Sequence, residues 1–111
     1  MMVDALEYIP DELRVSRDKK TLRLIYASDL EDISLSAELL RVESPSAEVQ
    51  GHHASQKKII TGKEQVKIIG LEPQGYYAVK IIFDDGHDTG IYRWAYFKEL
   101  YKRVQDNKNL M

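Results

Sequence analysis

The stretch YAVKIIFDDGHDTGIYRW, residues 77–94, contains the features that decide the fold. Its first half, Tyr77 to Phe83, is rich in β-branched and aromatic side chains, a composition typical of a strand. Asp85-Gly86 then predicts a tight hairpin turn of type I′, in which both central residues need a positive φ. Residues 89–94 form the returning strand. The stretch therefore predicts an antiparallel β-hairpin.

The amino-terminal part of the chain predicts three short strands and one helical turn. Residues 21–26 alternate between side chains of opposite faces, the pattern of a strand with one buried face. A polar turn joins this strand to an extended segment at 13–16, and a third short strand follows at 33–35. Ser36 is placed to cap a helical turn over 37–40, because its hydroxyl can accept a hydrogen bond from a free backbone N–H.

The carboxyl-terminal part predicts a strand over 65–71, before the hairpin, and a helix from about Ala95. In that helix apolar side chains recur at helical spacing, at Phe97, Leu100, Tyr101 and Val104. We expect residues 1–8 to be a flexible leader and 105–111 a frayed tail, which leaves one domain over 9–104. The predicted class is α+β: a small, mainly antiparallel β domain with a short central helix and a C-terminal helix.

Composition limits the possible functions. A chain of 111 residues suggests a single domain. The net charge of −2 does not favour nucleic-acid binding, which usually requires clustered excess base. The absence of cysteine excludes disulfides, thiolate metal ligands and cysteine nucleophiles. No apolar run approaches the ~20 residues of a membrane span, and the first residues do not resemble a signal peptide. We therefore expect a cytoplasmic protein that binds neither nucleic acid nor membrane.

No polar cluster matches a known catalytic pattern. His52 and His53 are adjacent, so on an extended chain they point to opposite faces, and we interpret them as loop histidines within a mobile segment at 50–58. Ser44 and Ser46 lack the G-x-S-x-G context of a nucleophile. His87 lies among aspartates but lacks the spacing of an iron-binding triad, so a turn residue and a metal ligand remain alternatives.

Aromatic residues are concentrated late in the chain. Three roles are compatible with them: a stacking platform for bases, a hairpin packed on the terminal helix, and, where the side chains are exposed, a protein interface. The packed hairpin is the commonest of the three. The residues are Tyr76, Tyr77, Tyr92, Trp94, Tyr96, Phe97 and Tyr101.

Three segments carry a resemblance to a known family: LLRVESPSAE at 39–48, Gly51-His52, and FDDGHDTGIY at 83–92 followed by Trp94. Together they resemble the gamma-butyrobetaine hydroxylase-like N-terminal domain family, over about residues 9–100. Members occur as the small first domain of gamma-butyrobetaine and trimethyllysine dioxygenases, as appendages of P-loop ATPases that carry iron–sulfur clusters, and as stand-alone bacterial proteins of unknown function. The chain is most similar to the stand-alone members.

The resemblance also implies where a metal would lie in other members. In the dioxygenases the domain binds zinc through three cysteines and one histidine, which fall on Ser44, Ser46, a position near Val49, and His87. Three of these four ligands are missing here, so we expect a vestigial site, no metal and no cofactor. The iron and 2-oxoglutarate sites of the dioxygenases lie in a separate domain that these residues do not resemble, and so no enzymatic activity is implied.

These observations favour a non-enzymatic binding or adaptor module. The resemblance suggests an accessory role in iron–sulfur protein biogenesis, with a P-loop scaffold ATPase as partner. The alternatives are a regulatory or docking subunit of a 2-oxoglutarate-dependent oxygenase, and a weak metal-binding protein that uses His87 with His52 or His53. We expect the Ser44-Pro45-Ser46 turn to lie near His87. The candidate interaction surface consists of Arg41, Glu43, His87, Tyr92 and Trp94.

Overall fold

The fold consists of two three-stranded antiparallel sheets, a short helix and a C-terminal helix, which confirms the predicted α+β class. A computed structural model describes residues 9–27, 31–46, 49 and 59–109. The leader at 1–8, the loop histidines His52 and His53, and the last two residues lie outside this part. In chain order the elements are β1 (Glu12–Val15), β2 (Thr21–Ile25), β3 (Ile33–Ser36), α1 (Ala37–Val42), β4 (Ile68–Gln74), β5 (Ala78–Phe83), β6 (Ile91–Arg93) and α2 (Trp94–Asn109).

The first sheet has the order β1-β2-β3, and its alternating sequence separates a buried face from a polar face. Leu22 and Leu24 are fully buried, whereas Arg23 between them is exposed. Leu22 lies opposite Leu35, and Leu24 lies opposite Ile33, so the apolar side chains of neighbouring strands form one continuous surface. The sheet therefore presents one apolar face to the core, as the alternation predicts.

The second sheet has the order β4-β5-β6. Its first strand is an edge strand, which explains how it accommodates Pro73, a residue without a backbone N–H. The pairing register of β4 shifts between Ile68 and Gly70. Ile68 is buried and Ile69 is exposed, as expected of neighbours on opposite faces of a strand. The backbone N–H of Ile68 donates to the carbonyl of Lys19 at 2.8 Å, and this bond joins β4 to the turn between β1 and β2.

The hairpin between β5 and β6 forms where it was predicted, but its turn is different. The N–H of Gly86 donates to the Phe83 carbonyl at 3.3 Å, so Asp84 and Asp85 are the central residues. Among the described non-glycine residues only Lys19 has a positive φ, and Asp85 therefore does not meet the type I′ requirement. Gly86 has a φ of 92°, the conformation of a glycine bulge that follows a type I turn in a three-residue loop.

The start of α1 follows from the sequence, whereas α2 differs from the expectation at both ends. The Ser36 hydroxyl accepts a hydrogen bond from the Leu39 N–H at 3.1 Å, which confirms the predicted cap of α1. Helix α2 begins at Trp94, one residue before the expected start. It continues to Asn109, so residues 105–109, which we assigned to a frayed tail, are helical. The prediction treated the end of the apolar stripe as the end of the helix, although backbone hydrogen bonding can continue beyond it.

The core lies between the inner faces of both sheets and the apolar stripe of α2. Phe97 and Leu100 of this helix are buried, and the Phe97 ring stacks on the Tyr92 ring with 5.6 Å between centroids. Tyr92 and Phe83 are among the largest fully buried side chains, which makes the late hairpin part of the core. Neither described helix has the length and apolar character that a membrane span requires.

Candidate functional site

A buried polar contact joins the loop after α1 to the loop of the late hairpin. His87 Nε2 lies 2.8 Å from Ser44 Oγ, a hydrogen-bonding distance between residues 43 positions apart in sequence. Ser44 is fully buried and His87 is 6% exposed, so the contact is removed from water. We call Ser44, Ser46 and His87 the Ser–His clasp. The expected proximity of the Ser44-Pro45-Ser46 turn to His87 is thus present in the structure.

The clasp depends on a glycine in the hairpin. A Cβ atom added to Gly90 would clash with Ser44 Oγ and would lie 3.0 Å from Tyr92 Cε1. Gly90 has no positive φ, so the requirement is for space and not for an unusual backbone conformation. The absence of a side chain at position 90 is what lets the two loops approach each other.

The other two positions of the predicted vestigial site are also buried. Ser46 is 6% exposed and its N–H donates to Ser44 Oγ at 3.4 Å. Its own hydroxyl is buried and, within the described part of the chain, makes no hydrogen bond. Val49 is 1% exposed, and its N–H donates to the Ser46 carbonyl at 3.1 Å. The four positions 44, 46, 49 and 87 therefore all have buried side chains.

Two tyrosines satisfy backbone carbonyls at the end of α1. The hydroxyl of Tyr92 donates to the Leu40 carbonyl, and that of Tyr96 donates to the Glu43 carbonyl. The last carbonyls of a helix have no partner within the helix, so these bonds fasten α1 to β6 and α2. Burial raises the pKa of Tyr96 to about 12 and raises the pKa of Tyr92 further, so both hydroxyls remain protonated donors.

A charged cluster covers the outer side of the clasp. Asp85 Oδ2 accepts from Arg41 Nε at 2.8 Å and lies 2.7 Å from Lys63 Nζ, while Asp85 Oδ1 accepts from the His87 N–H at 3.0 Å. Burial alone would raise the pKa of Asp85. The hydrogen bonds from Lys63, His87 and Arg41 outweigh burial and hold this pKa well below its ordinary value. Asp85 therefore fixes the hairpin loop and the end of α1 in one arrangement.

Comparison with models of known protein families identifies the family. The family model described as gamma-butyrobetaine hydroxylase-like, N-terminal, matches residues 13–98. The chain belongs to this family. No curated protein matches it significantly.

Solved structures of similar proteins have the same fold. One is a protein of unknown function of the DUF971 family from Acidithiobacillus ferrooxidans, with 36% identity, a TM-score of 0.68, and 84% of this chain aligned to 92% of that chain. A second, solved by NMR, has 38% identity and a TM-score of 0.76, with 98% of this chain aligned to 80% of that one. A third, also solved by NMR, has 44% identity and a TM-score of 0.70, with coverages of 91% and 78%. The chain therefore spans most of each of these proteins.

Three of the five residues of the interaction surface predicted from the family motifs are buried, and Arg41 and Glu43 are half-buried. Tyr92 is fully buried, and His87 and Trp94 are 6% and 8% exposed. Arg41 forms a salt bridge with Asp85, and the Glu43 carboxylate lies 3.6 Å from the Arg103 guanidinium. Arg41, His87 and Tyr92 lie close together because they form the polar interior at the clasp and the end of α1, and their burial leaves them little surface for a partner.

The clasp is buried within the part of the chain that the structure describes. A serine nucleophile must reach its substrate, and Ser44 has no exposed surface. Two cavities among the described residues, of about 680 Å³ between β3 and α2 and about 240 Å³ beside Lys63, are not lined by Ser44 or His87. Among the described residues no group of three or more His, Cys, Asp or Glu side chains could hold a metal ion. The geometry of the clasp is that of a structural contact.

Exposed aromatic side chains lie at the turn between β4 and β5. Tyr76 is 88% exposed and Tyr77 is 52% exposed at the turn between β4 and β5, and the Arg93 guanidinium lies over the Tyr77 ring at 5.7 Å from its centroid. Ile91, two residues before Arg93 and on the same face of β6, is 41% exposed. We call Tyr76, Tyr77, Ile91 and Arg93 the tyrosine tip. The sequence signal for the tyrosine tip was the late aromatic cluster. It contains both tyrosines but does not show which of its side chains are exposed to solvent.

Proposed function

We propose that this family member is a non-enzymatic binding module that recognises a partner protein through the tyrosine tip. The observation that carries the proposal is the exposure of two adjacent tyrosines, supported by an arginine, in a domain whose other large aromatic side chains are mostly buried. Tyrosine and arginine are enriched among the residues that dominate interface energies, since they combine large contact area with polar groups.

The tip is preorganised for binding. The Trp94 indole N–H donates to the Tyr76 carbonyl at 2.7 Å and so fastens the turn to the start of α2. Gly75, which has a φ of 56°, allows the turn to close beneath the Tyr77 ring. A surface held in its bound conformation loses less conformational entropy on association, and this supports affinity without a large interface.

The partner class comes from the family resemblance. Because related domains are attached to P-loop ATPases that carry iron–sulfur clusters, we propose such a scaffold ATPase as the partner and an accessory role in iron–sulfur protein biogenesis. The module contributes binding, and any chemistry belongs to the partner. This is an argument by family analogy, to which the tyrosine tip adds a defined contact surface.

The test is isothermal titration of the purified ATPase with the wild-type domain and with the double variant Tyr76→Ala/Tyr77→Ala. We expect the double variant to weaken binding by at least tenfold, because hot-spot truncation costs about 2 kcal/mol or more. Both tyrosines are exposed, so the melting temperature should change little. The matched control is Arg14→Ala/Ser34→Ala, which changes two exposed side chains on the outer face of the first sheet.

Three outcomes would contradict parts of the proposal. Failure of the wild-type domain to bind the ATPase would reject this partner. Binding that is insensitive to the Tyr76 and Tyr77 substitutions, or equally sensitive to the control pair, would reject the tyrosine tip. Selective binding to a 2-oxoglutarate-dependent oxygenase in a parallel titration would favour the alternative of a docking subunit.

A further inference from the structure

The zinc site that the family implies can be compared with the groups present at the equivalent positions. By resemblance the four ligand positions fall on Ser44, Ser46, Val49 and His87. These offer two hydroxyls, an isopropyl group and one imidazole, whereas structural zinc sites use four ligands drawn from thiolate, imidazole and carboxylate. The Nε2 atom of the His87 imidazole lies 2.8 Å from Ser44 Oγ. The residues do not fit zinc.

We propose that in this chain the Ser–His clasp replaces the metal as the link between the α1 loop and the late hairpin, while the positions of the four ligands are retained. Direct hydrogen bonding between Ser44 and His87 joins two segments that a zinc ion would otherwise bridge. Val49 fills space with an apolar side chain where a ligand would project. The inference concerns how the domain is held together and does not depend on the partner proposed above.

Burial supports the retained geometry. Ser44, Ser46, Val49 and His87 are 0%, 6%, 1% and 6% exposed, although two of them are serines, a residue type usually found at the surface. The Ser46 hydroxyl is buried without a hydrogen bond in the described part of the chain, an arrangement that destabilises the folded state. If packing alone decided the residue at position 46, an apolar side chain would be expected. The buried polar side chain is explained if position 46 keeps the inward orientation of a metal ligand.

Local backbone geometry brings the serine and valine positions together. The hydrogen bond from the Val49 N–H to the Ser46 carbonyl spans three residues, the spacing of one helical or turn step. Ser46 is in turn connected to Ser44 by its N–H, and Gly90 leaves room for the Ser44 side chain to face His87. Position 44 thus lies against His87 Nε2, with positions 46 and 49 linked to it in sequence by these two bonds, and the proposal predicts that thiolates at all three would converge with Nε2.

The experiment is a conversion of the clasp into a zinc site. The triple variant Ser44→Cys/Ser46→Cys/Val49→Cys is compared with wild type and with Ser34→Cys/Thr61→Cys/Asp106→Cys, which places three thiols on separate exposed parts of the fold. Zinc content is measured by elemental analysis after dialysis, and Co²⁺ is used as a spectroscopic probe of tetrahedral thiolate coordination. We expect one zinc per chain in the site variant, tetrahedral Co²⁺ bands, and neither in wild type or the surface control.

The role of His87 is tested in the same background. Adding His87→Ala to the triple variant should weaken zinc binding at least tenfold, since one of four ligands is lost. If the triple variant is unfolded without metal, folding on addition of zinc, followed by circular dichroism, supports the inference equally. Zinc binding no tighter than that of the surface control, or no folding with zinc, would overturn the retained geometry. One tightly held zinc per wild-type chain would overturn the replacement of the metal.

Discussion

The close approach of the hairpin to the α1 loop predicts a strong coupling between Gly90 and Ser44. The substitution Gly90→Ala adds a single methyl group that clashes with Ser44 Oγ and lies 3.0 Å from Tyr92 Cε1. Ser44 and Tyr92 are both fully buried, so neither side chain can move into solvent to relieve the overlap. The backbone at position 90 has an ordinary φ, and therefore the whole effect arises from crowding.

The expected magnitude follows from opposing contributions. Overpacking of a closed interior costs about 1–3 kcal/mol. Replacing glycine by alanine returns about 0.4–1 kcal/mol, because the unfolded chain loses conformational freedom. We expect Gly90→Ala to lower the free energy of unfolding by about 1–2 kcal/mol.

Ser44→Ala alone should lower the free energy of unfolding by about 1–3 kcal/mol, since it removes the hydroxyl that His87 Nε2 contacts. In the Ser44→Ala background, the alanine at position 90 loses its worst clash and should be better tolerated.

The assay is urea unfolding of the wild type, both single variants and the double variant, followed by fluorescence of Trp94, the only tryptophan. The double variant should be more stable than the sum of the single effects by about 0.5–2 kcal/mol. Gly70→Ala is the matched control, because its closest neighbour is the flexible end of Ile82, and it should be nearly neutral. Additive effects at positions 44 and 90, or a neutral Gly90→Ala, would refute the packing assigned to the clasp.

Three further variants test neighbouring parts of the site. Gly86→Val should lower stability by about 1–3 kcal/mol, because the φ of 92° disfavours a β-branched residue, and an unchanged unfolding midpoint would refute the glycine bulge. Asp85→Asn should destabilise the protein at neutral pH. Since folding lowers the pKa of Asp85, its ionised form contributes its full stabilisation above the ordinary value of 3.8, and the difference from wild type should shrink steadily as the pH falls from 3.8 towards the much lower pKa of the folded state. A difference that does not shrink between pH 5 and pH 2 would contradict this. Tyr92→Phe should cost about 1 kcal/mol in thermal or urea unfolding through loss of the bond to the Leu40 carbonyl, and a neutral result would reject that bond.

The strands and helices could be predicted because their signals are local. The alternation in β2, the Ser36 cap of α1 and the apolar stripe of α2 each depend on neighbours within a few residues. The type of the hairpin turn could not be predicted, because Asp84-Asp85 and Asp85-Gly86 are both acceptable as central pairs and strand register decides between them. The Phe83 to Gly86 hydrogen bond selects the first pair.

Only part of the site could be predicted, and that part came from the family resemblance and not from local sequence signals. Ser44 and His87 are 43 positions apart, and only the family resemblance brought them together before the structure did. Composition could not separate the buried Tyr92 from the exposed Tyr77, since both are tyrosines in or next to strands of the same sheet. Which one is inside depends on the pairing of β5 with β6, where Tyr92 lies opposite the buried Val79.

The most direct test of whether the clasp is structural and free of metal is to observe the His87 imidazole in the wild-type protein. Nuclear magnetic resonance of the ring nitrogens, recorded before and after dialysis against a strong chelator, reports whether Nε2 contacts a hydroxyl or a metal. The contact with Ser44 at 2.8 Å predicts identical His87 resonances in both samples and a shift of the Nε2 resonance in Ser44→Ala. Resonances that move on chelation, or that ignore the loss of the Ser44 hydroxyl, would contradict the account.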